Sequence, residues 1–188
     1  MKSGKIRIIG GRWKGKKISY NLDTTLRPTP DRAKEMIFNW LGQDLYNLNC
    51  LDLFSGTGAM GLECLSRGAK KVHFVEKNKN FYKNLRQNLY SLKMEQKIKV
   101  FNEDCLIWLK NPNQEEKYDV VFVDPPFSKG LAEKVFLLLR KNDYLKKESL
   151  IYLETEKNLN IDFLVEKQEV FKEKSFGEKS YRLIKMLF

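Results

Sequence analysis

Histidine and cysteine are scarce in this chain of 188 residues, which has one histidine, His73, and three widely spaced cysteines, Cys50, Cys64 and Cys105. No Cys-x-x-Cys pair and no Cys/His cluster exists, so the spacing of a structural zinc site is missing and no metal centre is expected. The cysteines are expected to be reduced, with Cys50 and Cys64 serving as small core residues. Ser-His-Asp chemistry would have to rest on His73 alone. That residue sits inside the apolar run Val72-His73-Phe74-Val75, where a structural role is expected. Long apolar runs are missing too: none approaches the roughly 20 residues that cross a bilayer. The basic start Met1-Lys2-Ser3-Gly4-Lys5 leads into no apolar segment, so a secretory leader is not expected and the cytoplasm is the expected compartment.

What is present begins with charge. The chain is 42% hydrophobic and 31% charged, with a net charge of +11. This suits one domain of ordinary size with a small appendage. Residues 1–40 carry ten Lys/Arg against three Asp/Glu, residues 41–128 twelve against eleven, and residues 129–188 thirteen against ten. The excess is concentrated at one end. A localised basic arm implies a polyanionic partner whose binding weakens with salt; evenly solvated basic faces are the plainer alternative. The candidate nucleic-acid contacts are Arg7, Arg12, Lys14, Lys16, Lys17, Arg27 and Arg32, with Trp13 and Tyr20 as stacking groups.

The arm, residues 1–25, reads as two short strands, Lys5–Ile9 and Lys16–Tyr20, joined through Gly10-Gly11 and Gly15. In Thr29-Pro30-Asp31 a helix is expected to start, capped by Thr29, with Ala33, Met36, Ile37, Trp40 and Leu41 on its packed face. This helix leads a second unit, residues 26–188. There, strands are expected at 50–54, 71–76, 97–101, 118–123, 149–154, 165–172 and 181–187. Helices are expected at 59–67, 78–92, 104–110 and 130–142. Such alternation predicts an α/β fold with a mostly parallel sheet covered on both faces. The last two strands are separated only by the polar stretch Glu173–Lys179, which suggests an antiparallel hairpin at the sheet edge.

Two patches carry the chemistry. Leu51-Asp52-Leu53-Phe54-Ser55-Gly56-Thr57-Gly58-Ala59-Met60-Gly61 contains the spacing Gly-x-Gly-x-x-Gly, and Glu76 ends the next strand where a ribose-binding acid belongs. Oxidoreductases share that pattern. Asp52, four residues before Gly56, does not suit a pyrophosphate; it suits a ligand bearing an ammonium, such as the methionine end of S-adenosylmethionine. Asp104, after the third strand, is placed to accept from an adenine amino group or to cap the helix that follows. The second patch, Asp124-Pro125-Pro126-Phe127, ends the fourth strand. Its prolines lack N–H donors and form a rigid turn with free carbonyls. Asp124 and a neighbouring carbonyl can accept the two hydrogens of a planar amine, while Phe127 stacks on the ring that bears it.

On these residues, together with Ile8–Lys16, Arg27–Arg32, Phe38–Leu41 and Tyr181–Lys185, the sequence resembles class I S-adenosylmethionine-dependent methyltransferases. More narrowly it resembles the RsmD family, which methylates N2 of one guanine in bacterial 16S ribosomal RNA. The resemblance implies a Rossmann-like fold of seven strands and cofactor contacts at Asp52, Ser55, Gly56, Gly58, Glu76, Asp104 and Cys105. Phe54 and Thr57 in the same loop are further candidates. It implies catalytic binding of the amine at Asp124, beside which Pro125 and Phe127 of the same turn are further catalytic candidates, and places Arg27, Thr29 and Arg32 near the active-site mouth. Pro30 stands where many relatives carry a small polar residue. The expected partner is 16S ribosomal RNA or a small-subunit assembly intermediate, met by a monomer. The rival readings are N6 methylation of adenine, a nicotinamide oxidoreductase, and a non-catalytic RNA-binding relative.

Overall fold

A computed structural model describes residues 3–21, 29–92, 98–113, 117–127, 130–164 and 168–187. The chain opens with an antiparallel hairpin of β1 (Ser3–Arg7) and β2 (Lys17–Asn21), with Ile6 opposite Ile18. The pairing sits slightly off the strand limits read from the sequence because the connection is built around a 3-10 turn at Gly11–Trp13. That connection is closed by Ile8 N–H to Lys16 O (2.9 Å) and Gly15 N–H to Ile8 O (2.8 Å).

Helix α1 (Asp31–Leu41) does not take its cap from Thr29. Pro30 holds the cap position, its carbonyl accepting from the N–H groups of Ala33 (3.0 Å) and Lys34 (3.1 Å), and no side chain caps the helix. Asp31 complements the helix dipole from the first turn. The packed face differs from the expected one. Ala33, Lys34, Ile37 and Phe38 are buried, with Met36, Trp40 and Leu41 at the margin, because Lys34 meets buried carboxylate and carbonyl partners.

The remaining elements alternate: β3 (Asn49–Asp52), α2 (Ala59–Ser66), β4 (Lys71–Val75), α3 (Lys79–Ser91), β5 (Ile98–Phe101), α4 (Cys105–Lys110), β6 (Tyr118–Val123), α5 (Leu131–Lys141), β7 (Leu145–Glu156), β8 (Gln168–Phe176) and β9 (Lys179–Met186). Seven strands form one sheet in the order β5-β4-β3-β6-β7-β9-β8. The first five strands in that order are parallel, and β9 runs antiparallel to both β7 and β8. This is the seven-stranded Rossmann-like α/β architecture that the resemblance implies, with the antiparallel hairpin at one edge.

Helices cover both faces. One core joins α1, α2, α3 and the N-terminal hairpin, through Ile6, Ile8, Ile18 and Tyr20, to one side of the sheet. The other joins α4 and α5 to the opposite side. His73 is structural: its Nδ1 lies 2.6 Å from the Tyr118 hydroxyl, and its ring meets Phe101 edge-on.

The site follows from topology. The chain moves outward from β3 to β4 to β5, then returns to the other side of β3 at β6. Strand order therefore reverses between β3 and β6, and the crevice at their carboxyl ends is where open α/β sheets bind ligands.

Candidate active site

Both chemical patches emerge at that crevice. Beyond β3 the chain folds back to open α2, and Ser55 staples the bend. Its hydroxyl donates to Asp52 O (2.8 Å) and Val75 O (3.2 Å), and its N–H to Val75 O (3.2 Å). Gly56 (φ 51°) and Gly58 (φ 78°) adopt the left-handed region that side chains oppose. A Cβ at Gly58 would stand 2.4 Å from Leu85 Cδ1. Gly61 serves packing: a Cβ there would stand 2.2 Å from the ring of Phe74, so its absence lets α2 lie close on β4. Thr57 is buried, and Phe54 is partly buried against the α4–α5 side.

Asp52 is buried beneath this bend, with Oδ2 3.2 Å from Gly61 N. Burial pushes its carboxyl up to about 7; the Gly61 and Phe54 N–H groups oppose the rise, and the charge of Glu76 adds to it. Glu76 is engaged by backbone donors at both oxygens, Gly56 N–H (2.6 Å) and Asn78 N–H (2.6 Å), so it holds the loop's shape. Asn102, beyond β5, donates to Glu76 O (2.8 Å). Asp104 is the cap of α4, accepting from Leu106 N–H (2.9 Å), and it pairs with Lys77 Nζ at 3.0 Å. The hydrogen bond from Lys77 keeps its carboxyl below the usual range, against a smaller opposing effect of burial. Cys105 is buried, and burial beside Asp104 pushes its thiol up to about 12.

Asp124 leaves the end of β6 on the same face as Asp52, since Phe122 and Asp52 share a register position and side chains alternate along the strand. Burial raises its carboxyl to about 8, with Glu154 and Asp52 adding to the rise and Lys179 opposing it. Pro125 is buried, Pro126 exposed, and Phe127 partly covered, with the Lys179 ammonium 5.3 Å from its ring centroid. Behind the prolines, on the α5 side, lies a separate cavity of about 100 Å³ bounded by Leu131, Thr155 and Phe163.

The basic residues fall into distinct groups. Lys14, Lys16 and Lys17 are exposed on the hairpin. Arg12 is exposed with its guanidinium 4.2 Å from the Trp13 ring, and Trp13 itself packs partly on the core. Tyr20 offers no stacking surface: it is 7% exposed, its ring packed where a Cβ on Gly4 would stand. Arg7 is exposed yet tied to Asp31 at 3.0 Å. Arg32 is exposed, 5.2 Å from the Phe176 ring centroid at the tip of the β8–β9 hairpin. Arg27 lies outside the described residues.

Sequence reasoning missed two groups. One is the seat of the hairpin on α2. Buried Glu63 accepts from Ile9 N–H (2.6 Å) and lies 3.8 Å from Lys34 Nζ and 3.5 Å from Arg67 Nε. Ser66 takes the N–H of Trp13 (3.0 Å) and donates to Gly10 O (2.5 Å). The other is Glu154 with Lys179, beside Asp124. Only the position of Glu154, an acid ending an apolar strand as Asp124 does, signals it in the sequence. Among the described residues no group of three or more His, Cys, Asp or Glu is arranged to hold a metal ion, and no helix is long and apolar enough to cross a membrane.

The family model described as Conserved hypothetical protein 95 matches residues 6–185. A relative from Haemophilus influenzae, "Ribosomal RNA small subunit methyltransferase D", is 45% identical over 96% of this chain and 93% of its own length. This chain belongs to the RsmD family. A relative of the same name from Escherichia coli is 39% identical over 96% of this chain and 90% of its own length. A solved structure titled "Putative methyltransferase yhhF from Escherichia coli" matches this RsmD-family chain with a TM-score of 0.86 and 36% identity, over 98% of this chain and 99% of that one.

Proposed function

We propose that this RsmD-family chain transfers the methyl group of S-adenosylmethionine to the exocyclic N2 amine of a guanine in 16S ribosomal RNA of the small subunit. Two relatives that match nearly end to end carry the name of a small-subunit ribosomal RNA methyltransferase. The observation that carries the reading is the pair Asp52 and Asp124. Two carboxyls on one sheet face flank the switch point, each raised by burial, so each favours a partner that brings hydrogen-bond donors or positive charge. The glycine bend leaves backbone space for a nucleoside, and Asp52 suits the ammonium of its methionine end. The residues fit the cofactor.

When bound, S-adenosylmethionine supplies an electrophilic methyl group. The residues of the chain act on the amine. Asp124 and a carbonyl of the proline turn accept its N–H hydrogens, and Phe127 holds the base in plane. An aryl amine is weakly nucleophilic because its lone pair is shared with the ring; held this way, the lone pair points out of the base toward the methyl carbon. As the new N–C bond forms and the methyl–sulfur bond breaks, its electron pair staying with sulfur, positive charge builds on nitrogen, and the Asp124 carboxylate would stabilise it. The methylated nitrogen then gives one proton to Asp124 or to water. Lys14, Lys16, Lys17, Arg12 and Arg32 supply phosphate contacts, and a guanine inside folded RNA must leave its stack to reach the turn.

The test is to offer labelled cofactor with free 16S ribosomal RNA and, in parallel, partially assembled small subunits, then digest to nucleosides. N2-methylguanosine is the expected product. N6-methyladenosine without it overturns the substrate assignment, and absence of label from both RNAs overturns the reading entirely.

A further inference from the structure

A third carboxylate stands in the same row. Along β7, Tyr152 pairs in register with Phe122 of β6, so Glu154, two residues on, shares the face of Asp124. Glu154 is 2% exposed. Its Oε2 accepts from the Tyr152 hydroxyl (2.9 Å), and its Oε1 pairs with Lys179 Nζ. Lys179 is the first residue of β9, set opposite Glu156, so the turn at Gly177 (φ 57°) brings it to the sheet edge that carries Asp124. Its ammonium lies 5.3 Å from the centroid of Phe127. A cation on one face of an aromatic ring attracts the ring and leaves the other face free to stack.

We propose that Lys179 is a positioning residue for methyl transfer: anchored by Glu154, it holds the ring of Phe127 against which the base stacks and supplies the counter-charge to Asp124. The inference rests on the amine-binding role assigned above to Asp124 and Phe127. It explains why a lysine half covered by protein is tied to a buried acid at this edge: the pair fixes a charge beside the reacting nitrogen without needing solvent. The groups facing Asp124 are Asp52 on β3, Tyr152 and Glu154 on β7, and Lys179 and Tyr181 on β9. Of these, Glu154 and Asp52 hold the proton on Asp124, and Lys179 draws it off.

The test compares Lys179→Met, Lys179→Arg, Glu154→Gln and the double variant Lys179→Met/Glu154→Gln. The double variant guards against misfolding, since Lys179→Met alone leaves Glu154 buried without its cation. Two readouts are taken: kcat and KM across pH on the target RNA, and the pH titration of the Asp124 side-chain carbon by NMR, assigned by its loss in Asp124→Asn. In Lys179→Met, kcat should fall on the order of 100-fold, as for a misplaced reacting group, with cofactor Kd little changed and Asp124 titrating at higher pH. Glu154→Gln should titrate at lower pH. Lys179→Arg should keep the wild-type titration. The double variant should titrate near wild type and still lose kcat, because Phe127 has lost its support. An Asp124 titration unmoved in both single variants, or turnover in Lys179→Met equal to wild type, overturns the proposal while wild-type methylation stands. A wild type that methylates no RNA overturns the reading beneath it, and the titration still reports whether Lys179 governs Asp124.

Discussion

Taking a carboxyl out of water favours the protonated form wherever the lost hydration outweighs the pull of nearby cations. At Asp52 this moves the pKa from 3.8 to about 7, and at Asp124 from 3.8 to about 8. Folded chain therefore keeps these protons at pH values where unfolded chain has released them. Their contribution to stability falls as pH climbs from about 4 through about 7 and 8, and it does not return above that. A cationic ligand lying on Asp52 reverses the balance there by favouring its ionised form. S-adenosylmethionine should accordingly bind more tightly as pH rises from about 5 to about 7, by up to about tenfold per pH unit for the proton released, and level off above that. Titration calorimetry in buffers of different ionisation enthalpy reads that release directly, and an affinity flat across the range contradicts it. The two acids should also separate by role. Asp124→Ala should lower turnover on the order of 100- to 1,000-fold, as for loss of one transition-state partner, while equilibrium dialysis finds cofactor binding largely intact. Asp52→Asn should weaken the cofactor itself, by an amount typical of a hydrogen bond to a charged group, about 1.5–3 kcal/mol.

At the scale of elements, the bend between β3 and α2 and the seat of the hairpin are the two joints that matter. Gly58→Ala forces a left-handed residue at φ 78° and drives a methyl to 2.4 Å from Leu85. The backbone part alone costs about 1–2 kcal/mol, readable as a lower denaturation midpoint and a weakened cofactor. Glu63→Ala leaves Lys34, 1% exposed, without a buried carboxylate partner and removes the acceptor of Ile9 N–H. Breaking a buried pair from one side costs about 3–5 kcal/mol, measurable by urea unfolding. What the sequence displayed at this scale was whatever has a period or a spacing. The doubly buried strands β3, β4 and β6 stood out as apolar runs, and the glycine bend and proline turn as motifs. Strand β8 was located only at its start, because its residues Gln168–Phe176 are exposed along almost their whole length and carry no alternation to read. The α1 face differs from the expected one for a related reason: Lys34 counts as polar in any pattern, yet Glu63 of α2 and the Arg7 carbonyl, with Asp31 one turn back on α1, accommodate it in the core. Lys179 carries no signal in the sequence because its neighbours, Glu154 of β7 and Phe127 of the proline turn, come from segments far away in the chain.

For the molecule as a whole, charge and shape divide the work. The exposed lysines of the hairpin, and Arg32 of α1 beside Phe176 of the β8–β9 tip, are the proposed phosphate contacts, while the crevice itself holds the acids Asp52, Asp124 and Glu154. Replacing Lys14, Lys16 and Lys17 by Gln should weaken RNA binding and flatten its dependence on salt. The slope of log K against log salt should drop by about 0.7–0.9 for each lysine that meets a phosphate. Filter binding across salt concentrations checks this, and an unchanged slope removes those lysines from the interface. Turnover on saturating RNA should change far less than affinity, since none of the three lies at the proline turn.

The latch of Glu63, Lys34, Arg67 and Ser66 has a consequence for how such a protein can be altered. The hairpin is not a detachable handle: trimming it strips the lid from charges that sit inside the core of the larger unit. A graft of another relative's hairpin onto this chain would bring a foreign backbone to an acid that expects the Ile9 amide. Transplants should fold only when the matching residues of α1 and α2 travel with the donor segment.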